Sequence, residues 1–158
     1  MRLDDAITLI ESCTTQQELN FRLQAIVESM GFAAYSFVDT GAPHRSEPYW
    51  TSTTSDAWQT TYVDHRFIEV DEMVHRARRT NRPFSWSQVK LPQRRGRRKP
   101  GALKVMEASA DHGFRDGLVI PYHFVDDRGS VCSSLCTLFW TEQPHDLARA
   151  TTRLAPMI

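Results

Sequence analysis

Residues 58–86 read WQTTYVDHRFIEVDEMVHRARRTNRPFSW, and the fold turns on how this stretch is laid out. Trp58 and Tyr62 lie four positions apart, so on a helix their rings stand on one face, one turn apart. Asp71 follows an apolar step of Phe67, Ile68 and Val70, and Trp86 closes the stretch behind Pro83 and Phe84. Two indoles, a phenol and a carboxylate beside aliphatic side chains suit a small ligand with an apolar body and an amide-like head. Each residue also has a plainer use. Aromatic pairs at helical spacing commonly fill cores, Asp71 fits as the N-cap of a helix over Met73 to Arg79, and Trp86 fits as a staple for its loop.

Upstream, Thr54-Ser55-Asp56 supplies a cap and an early acid for the helix that carries Trp58 and Tyr62. Before it, Tyr49-Trp50-Thr51 reads as a strand, GAPHRSEP (41–48) as a turn, and FAAYSFV (32–38) as a buried strand. Leu3, Ile7 and Ile10 give a first short amphipathic helix. Thr15-Gln-Gln-Glu18 forms a capping box for a second, faced by Leu19, Leu23, Ile26, Val27 and Met30 and stopped at Gly31. Downstream, Met73, Val74 and Ala77 mark a short helix ended by Asn81-Arg82-Pro83. A polar loop then runs through RRGRRK (94–99). Pro100 is placed as the first residue of a helix faced by Leu103, Met106 and Ala110 and stopped by Gly113. Strands at Gly117–Pro121 and Val131–Trp140 flank a turn at Asp126–Gly129, and residues 142–154 close as a helix. Helices at both ends with strands between them point to an α+β domain or an α/β/α sandwich, in a single domain over residues 1–158.

Composition excludes several classes. Of 158 residues, 41% are hydrophobic and 24% charged, and the three cysteines make no disulfide framework, which fits a reducing cytoplasm. No apolar run reaches membrane-spanning length, and the acidic N-terminus is not a signal peptide. Net charge is zero, but residues 94–99 hold five basic residues, leaving 14 basic against 19 acidic elsewhere. That balance is not a nucleic-acid-binding domain's, and the basic run reads as a solvated loop. Cys132 and Cys136 with His123 nearby raise the question of a metal, but their spacing puts both thiols on one strand face, as buried free cysteines. The six histidines form no metal motif, and no nucleophile elbow, phosphate loop or zinc-protease sequence occurs, so neither an enzyme nor a cofactor is expected.

The order W-x3-Y, an acid nine residues on, F-x-W and then H-G-F-x-x-G-x3-P resembles the autoinducer-binding domain of LuxR-type quorum-sensing regulators. YVDHRFIEVDEMVHRARRTNRPFSWS resembles the TraR-like branch in particular. The resemblance implies an α+β fold, an α/β/α sandwich with a central antiparallel sheet flanked by helices on both faces, holding an N-acyl-homoserine lactone between the sheet and one helical layer. It implies that Trp58 donates its indole N–H to the lactone carbonyl, Tyr62 meets the acyl carbonyl, Asp71 accepts the ligand amide N–H and Trp86 covers the lactone ring. Gly117 matches the glycine after the preceding helix. A late-strand hydroxyl near the amide is expected at Thr137 or Ser134, and acyl-chain contacts at Val63, Met73, Val74 and Phe114. Glu72 stands where the family usually has proline, implying a less rigid turn at Asp71. The resemblance further implies a homodimer, or a heterodimer that disables a full-length regulator. The chain stops at Ile158, where the linker to a helix-turn-helix domain would begin, so DNA contact is expected only through a domain missing here. A PAS- or GAF-like sensor, a pocketless interaction protein and a hydrolase of the same signal are the rival readings.

Overall fold

The computed structural model describes residues 3–41, 49–94 and 96–154. The turn expected over 41–48, Arg95 and the final residues fall wholly or mostly outside these. The elements in chain order are α1 (Leu3–Glu11), α2 (Gln16–Ser29), β1 (Ala34–Gly41), β2 (Tyr49–Ser52), α3 (Asp56–Asp64), α4 (Glu72–Ala77), β3 (Phe84–Ser85), α5 (Gly101–Asp111), β4 (Asp116–Val125), β5 (Val131–Trp140) and α6 (Pro144–Leu154). Two 3-10 turns, Phe67–Glu69 and Trp86–Gln88, complete the described elements.

Local chemistry sets the boundaries. Thr15 caps α2 by accepting from the Glu18 N–H at 3.2 Å, while the Glu18 carboxylate accepts from the Thr15 N–H at 3.3 Å. Gly31, at φ +91°, ends α2 in the left-handed region that side chains avoid. Ser55 caps α3. Pro100 is the N-cap of α5 rather than its first helical residue, one position from the expectation. In the Asp126–Gly129 turn, Asp126 Oδ1 accepts from the Arg128 and Ser130 N–H groups at 3.0 and 2.8 Å.

The five strands form one antiparallel sheet in the order β2-β1-β5-β4-β3. β4 runs four residues past the expected Pro121, because the β4–β5 ladder continues to Val125 opposite Val131. Beyond Val119, β4 has no β3 partner and is a sheet edge, where a proline is tolerated. β3 has only two residues, too few for any periodicity to reveal.

Period-two alternation splits the sheet into two faces. Ala34, Phe139, Val119 and Leu135 point to one side, where they pack with Trp58, Met73, Val74, Phe84 and Trp86. Tyr35, Leu138 and Trp140 point to the other, packing with Val27, Phe32 and Leu147 from the α2 and α6 side. This is an α/β/α sandwich built on an antiparallel sheet. Cys132 and Cys136 share one face, as their spacing requires, whereas His123 pairs with Ser133 on the opposite face, so no metal trio assembles there. Neither cysteine is in a disulfide, and burial raises the Cys136 thiol to about 11.

Candidate functional site

A cavity of about 270 Å³ opens between the first sheet face and the layer formed by α3, α4 and α5. Its floor is strand: Ser36 and Val38 of β1, Trp50 and Ser52 of β2, Leu135, Thr137 and Phe139 of β5. Its roof is Trp58, Gln59, Tyr62 and Val63 of α3, Met73 and Val74 of α4, and Val105, Met106 and Ser109 of α5. Asp71 and Trp86 close it at the loop ends.

Asp71 is the polar centre of this wall. Its Oδ1 accepts from the Met73 N–H at 2.8 Å, making it the N-cap of α4, and its Oδ2 accepts from the Tyr62 hydroxyl at 2.8 Å. The N-cap of α4 is therefore also a wall residue of the cavity, and Glu72 occupies the first helical position. Burial pushes the Asp71 carboxyl above its ordinary range, offset in part by the bonds from Tyr62 and the α4 backbone. Burial, followed by the adjacent carboxylate, holds the Tyr62 hydroxyl well above its usual value. The Tyr62 hydrogen is thus directed at Asp71 rather than into the open cavity, so here Tyr62 orients the carboxylate.

The indoles are fixed by ring packing. Trp58 meets Tyr62 edge-on at 5.6 Å between centroids, Phe114 at 5.9 Å and His112 at 5.4 Å. Trp86 meets Phe139 edge-on at 5.7 Å. Gly117 explains how Trp86 fits: a Cβ built there would lie 2.5 Å from the indole ring. Asp116 holds the same corner together. Its Oδ1 accepts from the Gly117 N–H at 2.8 Å and the Ser87 N–H at 3.2 Å, tying the Trp86 turn to β4. Trp86 Nε1 and Asp116 Oδ2 are buried without a hydrogen-bond partner among the described residues.

Of the sequence candidates, Trp58, Tyr62, Val63, Asp71, Met73, Val74, Trp86 and Thr137 line the cavity. Val63 sits at its mouth, 56% exposed. Phe114 and Gly117 support it from behind, through Trp58 and Trp86. Ser134 does not reach it: three residues from Thr137, an odd step on a strand, it faces the other side, and its hydroxyl donates to the Tyr122 carbonyl at 3.4 Å. Thr137 is buried, and its cross-strand partner is Ser36, so two hydroxyls stand together on the floor. Ser36, Ser52, Trp50 and the α5 residues were not anticipated. Alternation from Val38 points to Ser36, and the i, i+3 spacing of Met106 and Ser109 to the α5 pair, whereas Trp50 and Ser52 join the floor only through the pairing of β2 with β1. Asp116 carried no such signal.

Comparison with known proteins agrees with this fold. The family model described as the autoinducer binding domain matches residues 15–156. The transcriptional activator protein TraR of Rhizobium radiobacter is 30% identical over 105 residues, covering 63% of this chain; the chain spans only 40% of that relative's length. Among solved structures, the N-acylhomoserine-lactone-dependent LuxR-family factor CepR2 of Burkholderia cenocepacia superposes with a TM-score of 0.73 at 19% identity, over 98% of this chain and 85% of that one. SdiA of Escherichia coli superposes with a TM-score of 0.67 at 13% identity, over 89% of this chain and 55% of SdiA. At such identities the structures speak for the fold alone, whereas the family model spans most of the sequence. The chain belongs to the autoinducer-binding domain family, whose members the motifs from Trp58 to Trp86 resemble.

Proposed function

We propose that this domain is a non-catalytic sensor that encloses an N-acyl-homoserine lactone and couples its binding to folding and dimerisation. The observation that carries the reading is the buried Asp71 carboxylate, fixed by Tyr62 and Met73 on the wall of a cavity flanked by two indoles. An amide N–H meeting that carboxylate offsets its desolvation, and a ligand without one leaves it unpaired. Trp58 and Trp86 supply flat, apolar surfaces for a lactone ring, with Trp58 N–H assigned to the lactone carbonyl. Thr137, beside Ser36, faces the amide region. Val63, Met73, Val74 and the α5 residues take the acyl chain. A PAS- or GAF-like sensor has no reason to hold Trp58, Tyr62 and Asp71 in this order and geometry. Among the described residues no helix is long and apolar enough to cross a membrane.

The test is mass spectrometry of an organic extract from protein expressed with a panel of acyl-homoserine lactones. One species recovered in equimolar amount establishes the reading and identifies the acyl chain; folded protein carrying none overturns it. Asp71→Asn and Trp58→Phe each weaken lactone binding, and unchanged affinity in both removes the residue assignment. Sedimentation with and without the lactone reads the dimer: the same mass in both removes the coupling.

A further inference from the structure

The carboxylate that the proposed function relies on stands at the first end of α4, and the structure shows what holds the other end. α4 has six residues, far too few to persist without tertiary anchors. Its last carbonyls are among the groups a helix leaves without internal partners. His123, on the cavity-side face of β4, meets the last of them and the turn beyond: Nε2 lies 2.9 Å from the Ala77 carbonyl and 3.1 Å from the carbonyl of Thr80, three residues past the helix. Carbonyls only accept, so Nε2 carries the proton and donates to both. Nδ1 lies 2.7 Å from the Ser133 hydroxyl on β5, which stops the ring from turning. His123 does not line the cavity.

We propose that His123 is a positioning residue for the ligand amide, acting through α4 on Asp71. The helix is a strut about 9 Å long between the sheet end and the cavity. Asp71 fixes it at one end through the Met73 N–H, and His123 fixes it at the other. In the same last turn, Arg76 donates to the Gln88 carbonyl at 2.7 Å and lies over the Phe84 ring, and Ala77 is buried in the apolar cluster, so His123 shares this end with them and supplies its hydrogen bonds to β4. Without His123, that end loses its hydrogen bonds to β4 and keeps the Arg76 and Ala77 contacts alone, which fix its position less sharply. A helix pivoting near its first turn swings Asp71 relative to Trp58 and the sheet floor, which belong to other elements. Apolar contacts tolerate such a shift, whereas a hydrogen bond to a carboxylate depends on its angle and distance.

This inference rests on the reading of Asp71 as the amide's partner, and the experiment separates the two. Affinities are measured for N-octanoyl-homoserine lactone and for its ester isostere, in which oxygen replaces the amide N–H, in the wild type and in His123→Leu, His123→Gln and Ser133→Ala. Wild-type protein prefers the amide by at least about tenfold. His123→Leu loses most of that preference, with affinity for the ester nearly unchanged, and His123→Gln, which keeps donors for the two carbonyls, restores it. Equal losses for both probes, or an unchanged preference, overturn the positioning role. Where His123→Leu does not fold, Ser133→Ala, which frees the ring to rotate, is read by the same ratio. A wild type without preference overturns the Asp71 reading instead. The anchor is then judged by hydrogen exchange alone: faster exchange at Met73–Ala77 in Ser133→Ala, with α5 unchanged, supports it, and unchanged exchange at α4 overturns it.

Discussion

Asp71 caps α4, and in the proposed sensor it also meets the ligand amide; the energetics of burying its carboxylate and of binding through it oppose each other. As a buried carboxylate its pKa is raised from 3.8, so between that value and its folded-state value the folded chain binds more protons than the unfolded one. Its contribution to stability therefore falls as pH rises through this window and is unfavourable above it. Asp71→Asn, which keeps the volume, is expected to leave the ligand-free domain at least as stable as wild type at pH 7, with the difference closing on acidification; thermal melts across pH check this. Lactone affinity should move the other way. The same substitution weakens binding by roughly 10- to 150-fold, the equivalent of about 1.5–3 kcal/mol for a bond to an ionised group. Wild-type affinity should also drop as pH falls through the folded-state value, as titration calorimetry would show. Gly117 gives a second prediction at this scale. A methyl group there meets the Trp86 indole, so Gly117→Ala is expected to cost about 1–3 kcal/mol, read as a lower melting temperature, and to weaken ligand binding by displacing the ring.

At the scale of elements, the parts governed by local chemistry were legible and the parts governed by pairing were not. Thr15 and Glu18 announce α2 because a capping box is a contact between residues three apart. Thr15→Ala is expected to destabilise the domain by about 1 kcal/mol, measurable by denaturant titration, with ligand affinity unaltered because α2 lies on the far side of the sheet. β3, by contrast, exists only because Phe84 and Ser85 find Val119 and Leu118, and nothing in a two-residue segment announces that partner. The end of β4 was hidden for a related reason: Pro121 looks like a stop until the edge position of that strand is known. The choice between Thr137 and Ser134 was open while the strand's phase was unknown, and a three-residue separation then placed them on opposite faces. α4 was visible by its apolar residues, but not its anchor, since His123 lies forty-six residues from Ala77.

For the whole molecule, the order of helical and strand patterns pointed to an α+β domain or a sandwich, and it was the resemblance of the Trp58–Trp86 stretch to a known family that singled out the sandwich and the quartet Trp58, Tyr62, Asp71 and Trp86. The cavity itself was not legible in the sequence, because its floor comes from β1, β2 and β5, which only the antiparallel order brings together. Since the cavity lies within the larger of the two apolar clusters, filling it completes the core. At a lactone concentration one hundred times Kd, the domain should gain about 2.7 kcal/mol, a rise of roughly 5–10 °C in melting temperature for a chain of this size, with no gain from the free acyl chain at the same concentration.

The placement of the four tryptophans gives this protein an optical gauge of its own. Trp50, Trp58 and Trp86 border the cavity, while Trp140 packs against Phe32 across the sheet. Ultraviolet emission from the first three should shift and change in intensity as an occupant displaces solvent from their rings. Trp140 supplies a constant background against which that change is read, so occupancy can be followed in real time without a label.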